Sequence, residues 1–95
     1  MIVWFSPSAK ADIQEIYDFI ALENPIAASR VIAAIETATM QLSQFPLSGR
    51  IGVIETTREL VIPRQRYIAV YRVIDDEVQI IAVFHAAQDI PRADY

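Results

Sequence analysis

Thr57 to His85 reads TRELVIPRQRYIAVYRVIDDEVQIIAVFH, and this stretch decides the fold. Three runs rich in Val, Ile, Tyr and Phe follow one another: Thr57–Ile62 up to the break at Pro63, Tyr67–Ile74 up to the acidic turn Asp75-Asp76-Glu77, and Val78–His85. Short β-prone runs separated by turn residues predict an antiparallel meander. The same stretch carries half of the basic side chains and the only histidine, His85. Scaffold and chemically interesting side chains therefore coincide.

Upstream, two helices are expected. Ser6-Pro7 pairs an N-cap residue with proline at the first helical position, and Ile13, Ile16, Tyr17 and Ile20 then recur at i, i+3, i+4 and i+7. Asn24-Pro25 repeats the signal, and Ala28, Val31, Ile32, Ile35, Thr39 and Leu42 continue a stripe as far as Phe45-Pro46. The short break at Glu23-Asn24 favours an antiparallel helical hairpin. Met1–Phe5 supplies a first strand, and 47–56 reads as a loop or irregular strand around Gly49 and Gly52. The predicted class is α+β, one domain over 1–95: an N-terminal strand, a helical hairpin, then the three-stranded meander. Trp4 and Tyr17 are assigned to the core.

Composition sets limits. The chain has 95 residues, 54% of them hydrophobic, and it should fold. The absence of cysteine excludes disulfides and thiolate metal sites. Asp12, Glu15 and Asp18 share one helix face with no histidine, which reads as a solvated face; no metal and no cofactor are expected. MIVWFSPSAK lacks a basic leader, and no stretch approaches a membrane span, so a cytoplasmic protein without membrane contact is expected.

Net charge is −4, but residues 50–72 hold Arg50, Arg58, Arg64, Arg66 and Arg72 against Glu55 and Glu59, a local +3. A local arginine cluster on an acidic body argues against direct sequence-specific nucleic-acid binding. It suits an anion or an acidic partner, or else solvated strand edges guarded against aggregation. The last strand alternates Val78, Ile80, Ala82 and Phe84 with Gln79, Ile81, Val83 and His85, so both faces are largely apolar. Two helices cover one face. The other, with Ile81 and Val83, is expected to receive a protein partner, and Ala86–Tyr95 is long enough to cover only part of it.

The ordered motifs WFSPSAKADIQEIYDFIALENPIAASRVIAAI, FPLSGR, TREL, YIAVYRV and IIAVFHAAQDIPR resemble the RelE/ParE toxin superfamily, on its ParE-like side, over nearly the whole chain. The resemblance implies the strand–helix–helix–meander fold and a bacterial toxin of a type II toxin–antitoxin (plasmid-stabilisation) system. It also implies silencing by a ParD-like antitoxin and admits a toxin–antitoxin heterotetramer. ParE-like members inhibit DNA gyrase by binding, with no catalytic residues; RelE-like members cleave mRNA on the ribosome. Three readings follow: a gyrase inhibitor, a RelE-like ribonuclease using Arg58, Tyr71, Arg72 and His85, and an inactive homologue that only binds antitoxin. The pI near 4.7, the lack of lysine after Lys10 and the Ala86-Ala87 that follows His85 favour binding over catalysis. Arg50, Arg58, Arg64, Arg66, Arg72, Ile81, Val83 and His85 are the expected partner-binding residues.

Overall fold

The computed structural model describes residues 1–87. Its elements are β1 (Ile2–Phe5), α1 (Pro7–Ala21), α2 (Pro25–Met40), a 3-10 turn at Gln41–Ser43, β2 (Arg50–Ile51), β3 (Arg58–Val61), β4 (Tyr67–Ile74) and β5 (Glu77–His85). Both caps form as read. Ser6 Oγ accepts from Ala9 N–H at 3.0 Å and Asn24 Oδ1 from Ala27 N–H at 3.0 Å, with proline opening each helix.

The sheet has five strands in the order β1-β5-β4-β3-β2. The meander is antiparallel, whereas β1 pairs with β5 in parallel, Ile2 opposite Glu77 and Phe5 opposite Ile80. The fifth strand is the segment around Gly49 and Gly52. Its Arg50 and Ile51 pair with Glu59 and Arg58 and lengthen the meander by one short edge strand. The β4–β5 turn is two residues long; Asp75 and Asp76 both take positive φ, 48° and 62°. That is the handedness a tight hairpin requires.

The helical hairpin packs on one face. Ile35 and Leu42 meet Ile62, Ala69, Tyr71, Val78, Ile80 and Val83 there, with Val3, Phe5, Ile13 and Ile16 around the margin. The simple alternation expected for β5 fails at a bulge. Ile80 lies opposite Tyr71 and Ala82 opposite Val70, so Ile81 has no cross-strand mate. The extra residue reverses the facing beyond it. Val83 turns into the helix-side core, while Ile81, Ala82 and Phe84 join Ile68 and Val70 in a second buried cluster.

This corrects the expectation of an open second face at Ile81 and Val83. Ile81 is 6% exposed and Val83 3%, so neither offers a surface. The expected cover from Ala86–Tyr95 falls mostly outside the described residues. What does stand open is the far end of that face. Val3 and Phe5 pack inward, so Ile2 and Trp4 alternate outward. Trp4, assigned to the core from sequence, is 46% exposed beside Gln79. Tyr17 is half-buried.

Asp12 also departs from the solvated face assigned to it. β1 ends at Phe5 while β5 runs on, which leaves the β5 edge without a strand. Helix α1 fills that place, and Asp12 Oδ2 accepts from Val83 N–H at 2.9 Å. Burial pushes the Asp12 carboxyl above the ordinary aspartate range; the Val83 bond opposes this and nearby Glu15 adds to it.

Candidate functional site

The five arginines of 50–72 and their neighbours divide among separate tasks. Arg58 lies opposite Tyr71 on the helix side of the sheet, next to the loop that precedes β2. One of its terminal N–H groups reaches Gly49 O at 2.9 Å and Leu47 O at 3.3 Å. Tyr71, with no exposed surface, donates its hydroxyl to Pro46 O at 2.7 Å and accepts from Gly49 N–H at 2.9 Å. Burial pushes its phenol above the ordinary tyrosine range, against the Gly49 bond and the Arg58 charge that pull it down. A phenol so placed is a structural strut.

On the opposite face, Glu59 is 3% exposed yet fully engaged. Its Oε1 accepts from Arg50 Nε at 3.0 Å and lies 2.9 Å from Arg50 Nη2 in an ion pair, and its Oε2 accepts from Val53 N–H at 3.1 Å. A buried carboxylate needs such partners. This is the one ion pair among the described residues, and the Arg50 side chain remains 58% exposed within it.

These bonds converge on the segment from Phe45 to Thr57. Gly49 sits so close to its neighbours that a Cβ would lie 2.7 Å from the Tyr71 ring and hydroxyl and 2.9 Å from Glu59 O. A side chain at Gly52 would run into the Thr57 hydroxyl. Gly52 N–H in turn bonds Thr57 O at 2.9 Å, and Thr57 Oγ1 donates to Ile54 O at 2.5 Å. Thr56 adopts φ 68°, a costly conformation for a β-branched residue.

The remaining candidates lie elsewhere. Arg72 alternates with Tyr71 and Val73 and so faces away from the helices, in a row with Gln79 and Trp4. Its Nε is buried without a hydrogen-bond partner. His85 lies opposite Tyr67, ring edge against ring face at 5.3 Å and 86°, and its Nδ1 accepts from Ala87 N–H at 3.0 Å. Arg72 and Tyr67 stand five residues apart on β4, so Arg72 and His85 are separated by roughly 17 Å along the strands. Arg64 and Arg66 are exposed in the β3–β4 connection, Arg64 at φ 66°. Arg58 and Tyr71 thus lie side by side on the helix face, His85 stands further along that face beside Tyr67, and Arg72 alone is on the other face.

Sequence reasoning missed Pro46, Gly49, Glu59 and Asp12. The only signal for the first two was FPLSGR, whose glycine marks a close approach but not the residue approached.

Known proteins resemble this chain. Residues 3–90 match the family described as ParE toxin of type II toxin-antitoxin system, parDE. The Sinorhizobium fredii protein Y4kP, named as a toxin, is 45% identical over 80 residues, 84% of this chain and 82% of its own. Toxin RelE2 of Caulobacter vibrioides is 37% identical over 87 residues, 92% of this chain and 96% of its own. A chain of the chromosomal ParDE system from P. aeruginosa superposes with a TM-score of 0.81 at 27% identity, over 90% of this chain and 95% of that one.

Proposed function

We propose that this chain, which belongs to the ParE toxin family of type II toxin–antitoxin systems, arrests bacterial growth in the cytoplasm by binding DNA gyrase rather than by cleaving RNA. One observation carries the choice: of the four residues a ribonuclease would draw on, only Arg58 and Tyr71 lie together, and both are bonded to the loop. General acid–base cleavage needs a base, an acid and a cation within hydrogen-bond reach of one phosphate. Here Tyr71 and Arg58 brace a loop, Arg72 lies on the opposite face, and His85 stands a strand's length from Arg72. A binding toxin needs a stable surface instead.

Its silencing partner in this reading is a ParD-like antitoxin; the solved chains it resembles come from ParDE and RelBE toxin–antitoxin systems. Arg64 and Arg66 keep exposed side chains and are the cations proposed to meet its carboxylates. Arg58, Ile81 and Val83 are committed inside the fold. The 37% identity to a protein named RelE2 favours the ribonuclease as second reading.

One experiment separates the two. Purified toxin is added in parallel to a gyrase supercoiling assay and to a translating extract with labelled mRNA. The proposal expects loss of supercoiling with intact mRNA, and His85→Ala should change neither result. Cleaved mRNA with unimpaired supercoiling overturns it.

A further inference from the structure

We infer that the Phe45–Thr57 loop is the surface with which this toxin grips its protein target, by inserting apolar side chains into a recess of a folded partner. The inference rests on the binding-toxin reading above.

The loop combines exposed apolar side chains with a pinned backbone. Phe45 and Leu47 are each 64% exposed, Ile51 74% and Val53 60%. Side chains of this size at such exposure stand out from the surface. Leu47 and Ile51 flank one guanidinium, since Arg58 bonds Leu47 O and lies opposite Ile51. Phe45 belongs to the same turn, where Ser48 N–H bonds Phe45 O at 3.1 Å. Yet the backbone beneath them is pinned by Tyr71, Arg58 and Glu59, and it holds Thr56 in a strained conformation. Rigid presentation lowers the ordering cost of binding, and strain that the surroundings enforce clusters at functional sites.

The occupant follows from shape and charge. A protruding loop needs a concave apolar recess, which a folded protein provides and an extended segment does not. Nucleic acid is disfavoured because Arg58 is turned inward, Arg50 is paired with Glu59, and the chain carries a net charge of −4. A second copy would bring another −4. Arg50, more than half exposed, can still take a carboxylate from the partner's rim.

The test is the double variant Leu47→Ser/Ile51→Ser. Both side chains are exposed, so the fold should survive; circular dichroism and the melting curve check this. Induced growth arrest should be lost, and half-inhibition of supercoiling should need at least about tenfold more protein. Co-purification with the co-expressed cognate antitoxin should be unchanged. Ile2→Ser, which alters a residue 69% exposed on the opposite edge strand, should arrest growth like the parent. The inference is overturned if the double variant arrests growth as the parent does, if it loses the antitoxin, if Ile2→Ser is equally harmless, or if the parent arrests nothing. A parent that arrests growth but spares gyrase removes the gyrase reading alone, and the growth comparison still decides the loop.

Discussion

The turn between Ile74 and Glu77 joins β4 to β5, the loop from Phe45 to Thr57 carries β2 and leads into β3, and the two are shaped by opposite means. The turn is held by its own two residues, Asp75 and Asp76, each in the left-handed region. The loop is held from outside, by a hydroxyl from β4 and by a guanidinium and a carboxylate from β3. Tyr71 reaches back 25 residues to Pro46 and 22 to Gly49. A connection shaped locally can be changed locally. One shaped remotely is as stable as the sheet behind it, and damage to it should spread.

The largest break in that contrast should come from Gly49→Ala. The new methyl collides with the Tyr71 ring and with Glu59 O, and backbone on one side leaves little room to yield. A loss of about 3 kcal/mol is expected, read as a melting temperature lower by more than about 10 °C. A melt within a few degrees of the parent means that the loop is not seated against β4. Next comes Tyr71→Phe, which keeps the ring but strands Gly49 N–H and Pro46 O. About 2 kcal/mol should be lost in denaturant unfolding. An unchanged midpoint defeats the view of Tyr71 as a strut.

Asp12 extends the contrast, since it joins elements 71 residues apart. Asp12→Ala leaves Val83 N–H unpaired and should cost about 1 kcal/mol. Its pH behaviour carries a definite sign. The folded-state pKa is raised, mainly by burial, above the ordinary value of 3.8. Its contribution is therefore fully present below 3.8 and is lost as pH rises through the higher folded value. Asp12→Asn keeps an acceptor without the charge. Urea midpoints between pH 4 and 7 should fall less steeply for that variant than for the parent; parallel curves contradict the assignment. The smallest effect belongs to the locally shaped turn. Asp75→Asn with Asp76→Gly supplies residues that accept positive φ at little cost and removes two neighbouring negative charges. A gain of about 0.5 kcal/mol is expected, visible as a raised melting temperature. A decrease shows that the acidic turn makes a contact of its own.

The contrast also explains what the sequence disclosed. β4 begins and ends where the Val-, Ile- and Tyr-rich run does, and both helices start at their cap–proline pairs, because those signals act over a few residues. Two-residue β2 has no run of its own to read; it exists because Arg50 and Ile51 lie beside β3. The bulge at Ile81 follows from pairing with β4, and one extra residue was enough to exchange the facing assigned to Ala82, Val83 and Phe84. The arginine cluster was visible as charge but not as division of labour. Arg58 and Arg72 differ in face and task, and only the register separates them.

β1 lies parallel to β5, so the second residue of the chain waits for the seventy-seventh. Synthesis delivers the first strand and both helices long before Val78 and Ile80, which complete the core beneath them. Contacts this distant in sequence form late and slowly. A nascent chain that ends before β5 cannot close its sheet, so toxicity should appear only once β5 has been made.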